Sequence, residues 1–219
     1  MAKNKVFGIG LNKTGTTTLG VCMNKLGYRH LSCRRDLLKL YRRGHADQVM
    51  NYMDGFDSFD DWPYPLMYRE LWARFGDSAR YILTTRSSSE KWLRSLENHA
   101  RRSNPLSNCR KLAYGYHYPQ NAPEAHLAFY ESHNAEVRAF FAELGQTDLL
   151  LEMCWEKGHG WDELCGFLGE PVPDEPMPMA NVTATRAKSG YESVNGTLLR
   201  LTSVNRWLTG RRPERPHSS

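Results

Sequence analysis

Short apolar runs alternate with longer amphipathic stretches along most of this 219-residue chain. The apolar runs are bounded by glycine, proline or polar residues, a pattern typical of buried strands. They predict strands at residues 6–11, 28–32, 80–85 and 148–153, with a short strand end and a loop at 56–62.

Between these runs, apolar side chains recur every three or four residues, as expected for helices that cover a core. Several of these segments stop at a glycine, which is a common signal for the end of a helix. The predicted helices cover residues 16–26, 36–43, 67–75, 88–100, 124–144, 161–168 and 193–208.

This alternation predicts an α/β fold, with a single P-loop-like domain and a mainly parallel central sheet flanked by helices on both faces. We expect residues 1–182 to form this domain and residues 183–210 to form a helical extension packed on it. Residues 211–219 are predicted to be a disordered tail. Residues 101–123 are rich in Asn, Pro, Gly and aromatic residues, and we predict a long loop or lid there.

Composition narrows the classes of function. The 29 Lys and Arg against 24 Asp and Glu give a net charge of +5, which permits an anionic ligand. No long basic block suggests a nucleic-acid partner. The five cysteines are never spaced as Cys-x-x-Cys, so we expect reduced thiols and a cytoplasmic location. No apolar run approaches the roughly 18 residues that a membrane span needs.

The turn after the first predicted strand, "GLNKTGTT" at residues 10–17, has the composition of a phosphate-binding loop. Glycines let several backbone N–H groups converge on one anion, and the following helix adds the positive end of its dipole. Gly10 and Gly15 have the spacing of a nucleotide triphosphatase loop, but Thr16 stands where that loop has its lysine. The lysine, Lys13, comes two residues before Gly15 instead. The alternative is a glycine-rich turn that binds nothing.

The stretch "NKTGTTTL" at residues 12–19 resembles the 5′-phosphosulfate loop of the sulfotransferases that use 3′-phosphoadenosine-5′-phosphosulfate (PAPS), with its pattern K-x-G-T-T-x-L. Lys13, Gly15, Thr16, Thr17 and Leu19 match that pattern. The resemblance implies that the donor is held by Lys13, Thr14, Gly15, Thr16, Thr17 and Thr18.

A second stretch, "YILTTRSSSEKWLRSL", resembles the part of the same family that holds the 3′-phosphate, an Arg at a strand end and a Ser on the next helix. The matching residues are Arg86 and Ser95, with one residue more between them than the commonest form; Ser88 or Ser89 could substitute for Ser95. Residues 156–181 also resemble a bacterial branch of the family, in a run that we interpret as structural.

The resemblance implies transfer of a sulfuryl group from PAPS to a hydroxyl or amine, without a metal, leaving adenosine 3′,5′-bisphosphate (PAP). Lys13 would stabilise the leaving phosphate. In several relatives the base is a His two residues before a Pro; Asp61 occupies that place before Pro63. Asp61 could instead cap the helix that follows, and Asp60 or Asp57 could be the base. The acceptor would be a small molecule, a glycan or a lipid, and tyrosines of residues 101–123 could line its pocket.

Two other classes of protein compete with this interpretation. A P-loop kinase or triphosphatase would need a lysine after Gly15 and an acidic residue at a strand end to hold Mg²⁺. The strongest predicted strand ends in Arg86, which argues against that class. A non-catalytic nucleotide-binding domain is the other alternative, and the presence of Lys13 argues against it.

Overall fold

The computed structural model describes residues 3–178 and 190–209. Its sheet has the strand order β2-β3-β1-β4-β5, and every neighbouring pair is parallel. The α/β fold with a parallel central sheet is therefore confirmed. The strands are β1 (Lys5–Gly8), β2 (His30–Leu31), β3 (Ser58–Phe59), β4 (Ala79–Thr84) and β5 (Leu150–Met153).

Helices lie at or near each predicted position, with most ends shifted by one or two residues. Helix α3 was not predicted, because its seven residues bury only Val49 and Met50 and so give a weak periodic signal. The helices are α1 (Thr16–Lys25), α2 (Arg35–Arg42), α3 (Ala46–Tyr52), α4 (Tyr68–Phe75), α5 (Ser89–Arg102), α6 (Arg110–Tyr114), α7 (Pro123–Glu143), α8 (Trp161–Leu168) and α9 (Glu192–Thr209).

Successive residues of the central strands face opposite sides of the sheet, which explains why both sides are covered. Phe7 and Tyr81 belong to a core cluster with residues of α4 and α7. Their neighbours Val6 and Ile82 belong to a second cluster with residues of α1 and α8. The predicted helical layers on both faces follow from this alternation.

The prediction of a long loop or lid at residues 101–123 is wrong. The segment contains the end of α5, helix α6 and a short 3₁₀ turn at Pro119–Asn121. Tyr114 and Tyr118 are buried, and their hydroxyls donate to Asn12 Oδ1 and Asn195 Oδ1. Aromatic side chains therefore provide the apolar area that fixes this segment to the core, which its polar and Pro-rich composition did not reveal.

Helix α9 is attached to the domain through Asn195, a buried residue. The Asn195 side chain donates to the carbonyl oxygens of Arg101 and Ser103 at 2.8 and 2.9 Å. The predicted domain boundary at residue 182, the start of the extension and the tail at 211–219 lie outside the described residues. Within residues 3–178 and 190–209, no helix has the length and apolar character needed to cross a membrane.

Candidate active site

Three adjacent strands bring the predicted site residues to one edge of the sheet. The central strand β1 leads into the loop with Lys13, its neighbour β3 is followed by Asp60 and Asp61, and β4 is followed closely by Arg86. Strands β2 and β3 lie on one side of β1 in the sheet, and β4 and β5 lie on the other side. The strand order therefore reverses at β1, and a crevice forms outside the carboxyl ends of these strands.

The loop at residues 9–15 has the backbone of an anion site. Gly15 adopts φ +101° and Lys13 φ +69°, both in the left-handed region. Helix α1 starts directly after Gly15 with no side-chain cap and no acidic residue in its first turn. Its first amides are therefore not paired with a capping side chain, and the positive end of its dipole is not neutralised.

The two glycines of the loop serve different purposes. A methyl group at Gly10 would collide with the backbone and hydroxyl of Thr84, so Gly10 is required by the approach of β4. A methyl group at Gly15 would collide with the indole of Trp155. Only Gly15 therefore combines the left-handed backbone with a position at the start of α1.

Buried hydrogen bonds hold the loop in place. Trp92 Nε1 donates to the Asn12 carbonyl at 2.9 Å, and His133 Nε2 lies 2.8 Å from the Ile9 carbonyl. Burial lowers the pKa of His133 to about 4, so the ring is neutral at pH 7 and donates its Nε2 proton to that carbonyl. A loop fixed in this way does not have to reorganise when an anion binds.

The predicted threonines differ in where their side chains lie. The Thr14 hydroxyl is buried against the Leu11 carbonyl and the Thr84 hydroxyl, at 2.5 and 2.6 Å. Any contact of Thr14 with an anion would therefore come from its backbone amide. Thr16 and Thr18 are buried on α1, whereas Thr17 is exposed in its first turn.

Asp61 borders a cleft of about 310 Å³ together with Asn12, Cys33 and Asn108. Burial, reinforced by the neighbouring Asp60, raises the pKa of the Asp61 carboxyl to about 7, against the lowering effects of the Trp62 amide, Lys13 and Cys33. A carboxyl group with such a pKa can accept a proton near neutral pH. The residue also adopts the left-handed φ of +58°, a form of strain that is found at functional sites.

Hydrogen bonds distinguish the surroundings of Asp61 and Asp60. Asp61 Oδ1 accepts from the Trp62 amide at 2.8 Å, and neither the turn at Tyr64–Leu66 nor α4 has a side-chain cap, so the predicted cap is absent. Asp60 is fully buried, accepts from the Ser32 hydroxyl at 2.6 Å and lies 3.4 Å from His30 Nε2. Of these two neighbouring carboxylates, Asp61 is the one that lines the cleft.

Asp57, the third candidate base, is engaged elsewhere. Its carboxylate accepts two hydrogen bonds from the guanidinium of Arg29, both at 2.9 Å. This pairing lowers the pKa of Asp57 to about 2. Such a weak base is poorly suited to take a proton from an acceptor at neutral pH.

Arg86 is already paired within the protein. Its Nη2 lies 2.8 Å from Glu156 Oε1, and its backbone amide donates to the Tyr130 hydroxyl at 2.9 Å. Ser88 caps α5 by accepting from the Lys91 amide, and Ser89 is the first residue of that helix. Ser95 is half-buried and lies about 9 Å further along the helix axis than Ser89.

Trp155 and Glu156 were missed from the sequence, although they link both halves of the site. The Trp155 indole lies against Gly15, and its buried Nε1 has no hydrogen-bond partner among the described residues. Glu156 is the partner of Arg86. Both residues lie within three positions of the end of the last predicted strand, at the ligand-binding edge of a parallel sheet, and this position could have identified them.

The tyrosines of residues 101–123 do not line the Asp61 cleft. Tyr114 and Tyr116 line a separate cavity of about 420 Å³ together with His126 and Phe129. The wall of the Asp61 cleft instead includes Arg110 and several asparagines. Among the described residues, no three His, Cys, Asp or Glu side chains are grouped to hold a metal ion.

Comparison with known proteins agrees with the geometry. Residues 5–186 match the family described as "Sulfotransferase domain". A curated relative from Aspergillus versicolor, "Ava biosynthesis cluster protein M", is 29% identical in an alignment 214 residues long, and the match covers 80% of this chain and 79% of the relative.

Proposed function

Because the chain belongs to the sulfotransferase domain family, we propose that it transfers a sulfuryl group from PAPS to a hydroxyl or amine of an acceptor. The observation that carries this proposal is the position of an uncapped helix start and Lys13 at the same sheet edge as Asp61, a carboxyl group with a pKa of about 7. The helix start and Lys13 suit an anionic sulfuryl donor, and the Asp61 carboxyl suits the nucleophilic group of an acceptor.

The loop residues fit the phosphosulfate end of the donor. Lys13, the backbone of Thr14 and Gly15, and the first turn of α1 with Thr16, Thr17 and Thr18 would hold it. The indole N–H of Trp155, which lies beside Gly15 and has no hydrogen-bond partner among the described residues, supplies a further hydrogen-bond donor. Arg86 would hold the 3′-phosphate, together with Ser95, Ser88 or Ser89. When bound, the donor supplies the sulfuryl group, and PAP is the other product.

The protein residues have two chemical tasks. Lys13 and the α1 amides stabilise the negative charge that grows on the leaving phosphate, and each preorganised donor of this kind is worth about 3 kcal/mol. Asp61 takes the proton from the hydroxyl or amine of the acceptor, which contributes about 10²–10⁴-fold to the rate. We propose that no metal is needed, because the ammonium group and the helix dipole provide the positive field.

The size of the Asp61 cleft supports a small acceptor, or the terminal group of a glycan or lipid. The name of the relative, a biosynthesis cluster protein, favours the small molecule. We also propose a cytoplasmic location, which the five free thiols support. No nucleic-acid partner is proposed.

The test compares the wild type with Lys13→Met, which keeps the length of the side chain and removes its charge. With labelled PAPS and a panel of alcohols, phenols and amines, we expect turnover to fall at least about 100-fold. Circular dichroism melting should change little, because Lys13 is only half-buried. Near-normal turnover of Lys13→Met would refute the assigned role.

Ligand-induced stabilisation separates the competing functions. A ligand that binds the folded state raises the melting temperature by mass action. We expect PAP without metal to stabilise the protein more than Mg-ATP does. A preference for Mg-ATP would favour a kinase or triphosphatase, and PAP binding without transfer to any acceptor would favour a non-catalytic binding domain.

A further inference from the structure

Glu156 forms an ion pair at the position where the proposed function requires a phosphate. We propose that the Glu156 carboxylate stands in for the 3′-phosphate of the nucleotide beside Arg86, and that it must be displaced when a 3′-phosphorylated nucleotide binds. Glu156 would thus be a specificity-determining residue. This inference rests on the proposed function, because it needs the nucleotide to place its 3′-phosphate at Arg86.

Three donors converge on the Glu156 carboxylate. Arg86 Nη2 lies 2.8 Å from Oε1, and Oε2 accepts from the Ser87 amide at 2.9 Å and from the Ser87 hydroxyl at 2.6 Å. A guanidinium, a backbone amide at a strand end and a hydroxyl are the donor types that proteins use for phosphate. The donor set is therefore suited to an oxyanion, and the carboxylate is the oxyanion that the chain itself supplies.

The Glu156 carboxylate does not use every hydrogen-bond donor of this cluster. Arg86 Nε is buried and has no hydrogen-bond partner among the described residues. An unpaired buried donor on a charged group costs free energy, so a ligand that reaches it is favoured. A phosphate has three terminal oxygens and can engage this N–H in addition to the three donors that Glu156 already occupies.

The charges of the cluster favour exchange rather than joint occupancy. Lys91 Nζ lies 2.7 Å from the Ser87 hydroxyl, so two cations, Arg86 and Lys91, surround one carboxylate. Burial raises the pKa of Glu156, but the Ser87 hydrogen bonds and the nearby Arg86 and Lys91 charges lower it overall, so the group is ionised at neutral pH. A phosphate dianion added beside the ionised carboxylate would give net repulsion, whereas a dianion in its place would balance the two cations.

The position of Glu156 permits this exchange. Its side chain is 27% exposed and that of Arg86 is 28% exposed, so solvent reaches the pair. Glu156 is an exposed residue in the 3₁₀ turn at Trp155–Lys157 and belongs to none of the core clusters. Rotation of its side chain toward water therefore requires no repacking of the core.

The test uses Glu156→Gln, which removes the charge and keeps the shape. By isothermal titration calorimetry, we expect the Kd of adenosine 3′,5′-bisphosphate to fall at least about tenfold relative to wild type, because the phosphate no longer competes with a charge. The Kd of adenosine 5′-monophosphate, which lacks the 3′-phosphate, should change less than about twofold. Adding Arg86→Gln to Glu156→Gln should abolish the gain.

A matched control is present on strand β5. Glu152 is also a partly exposed carboxylate in an ion pair with an arginine, but its partner is Arg138, at 2.8 Å, and not Arg86. Glu152→Gln should leave both Kd values unchanged. An unchanged or weaker affinity of Glu156→Gln for the bisphosphate would overturn the inference, because Glu156 would then orient Arg86 instead of competing with the ligand.

The same gain for both nucleotides would also overturn the inference, because the effect would not depend on the 3′-phosphate. Failure of the proposed function is a separate result. If the Kd values change as expected but no acceptor in the panel is sulfated, Glu156 competes with the 3′-phosphate in a binding protein, and only the transferase proposal is lost.

Discussion

Asp61→Asn should make the protein more stable while it removes activity. Asparagine has the same size as aspartate, tolerates the left-handed backbone of this position, and can still accept from the Trp62 amide. The substitution therefore removes the ionisable proton and little else. Any change in the free energy of unfolding reports on the cost of ionising Asp61 in the folded protein.

The magnitude follows from the raised pKa. The pKa of Asp61 is 3.8 in an unperturbed carboxyl and about 7 in the fold. At about 1.4 kcal/mol per unit, the ionised carboxylate destabilises the fold by at most about 4 kcal/mol above pH 7. Asp61 borders the cleft, so water recovers part of this cost, and we expect a gain of about 2 kcal/mol for Asp61→Asn at pH 8.

The sign of the pH dependence is fixed by the same shift. The unfolded chain releases this proton near pH 4 and the folded chain near pH 7, so the wild type loses stability as the pH rises between these values. The advantage of Asp61→Asn should therefore be about 1 kcal/mol at pH 5 and about 2 kcal/mol at pH 8. Urea unfolding curves of both proteins at several pH values measure it.

Asp57→Asn is the control. The pKa of Asp57 is lowered to about 2 by Arg29, so this variant should lose stability, by the same amount at pH 5 and pH 8.

The rate of sulfuryl transfer by the wild type should rise with pH until about pH 7, and Asp61→Asn should lose about 10²–10⁴-fold in turnover. If Asp61→Asn is no more stable than wild type at pH 8, Asp61 is not a carboxylate that burial makes costly to ionise.

Two further predictions concern the loop. Gly15→Ala adds both left-handed strain and a collision with Trp155, so it should destabilise the fold by about 2–4 kcal/mol. The control Gly44→Ala, at φ +81° in open surroundings, should cost only about 1 kcal/mol. Equal losses of stability in urea unfolding would show that Trp155 does not constrain Gly15. His133→Gln keeps a donor for the Ile9 carbonyl but cannot be protonated. Wild type should lose up to about 3 kcal/mol between pH 6.5 and pH 4, whereas the variant should lose markedly less, and identical acid unfolding curves would contradict the buried, neutral histidine.

The sheet and the glycine-containing loop after β1 were predictable because their signals are local. The alternation of apolar runs and helical periodicity sets the layers, and the residues from Gly10 to Thr18 are contiguous. Asp61 was identified as a candidate, but its raised pKa depends on Asp60 and on burial that only the folded chain creates. The sequence could not reveal that α3 exists, because two buried side chains do not make a clear period.

The partner of Arg86 illustrates the limit of sequence reasoning at the site. The motif around Arg86 suggests a phosphate ligand, but its partner Glu156 lies much further along the chain, after β5. The pairing depends on β4 and β5 lying side by side, so it is a property of the strand order. Similarly, the aromatic residues of 101–123 suggested a lid because nothing in that segment specifies that Tyr114 reaches Asn12.

The indole of Trp155 against Gly15 gives the protein an intrinsic optical reporter. Trp62 and Trp92 are fully buried, whereas Trp155 is partly accessible and contacts the loop. Under the proposed function, a nucleotide bound at the start of α1 would change the polarity around this ring. Its fluorescence would then follow the arrival and departure of the nucleotide in a stopped-flow instrument without any attached dye, and Trp155→Phe provides the blank.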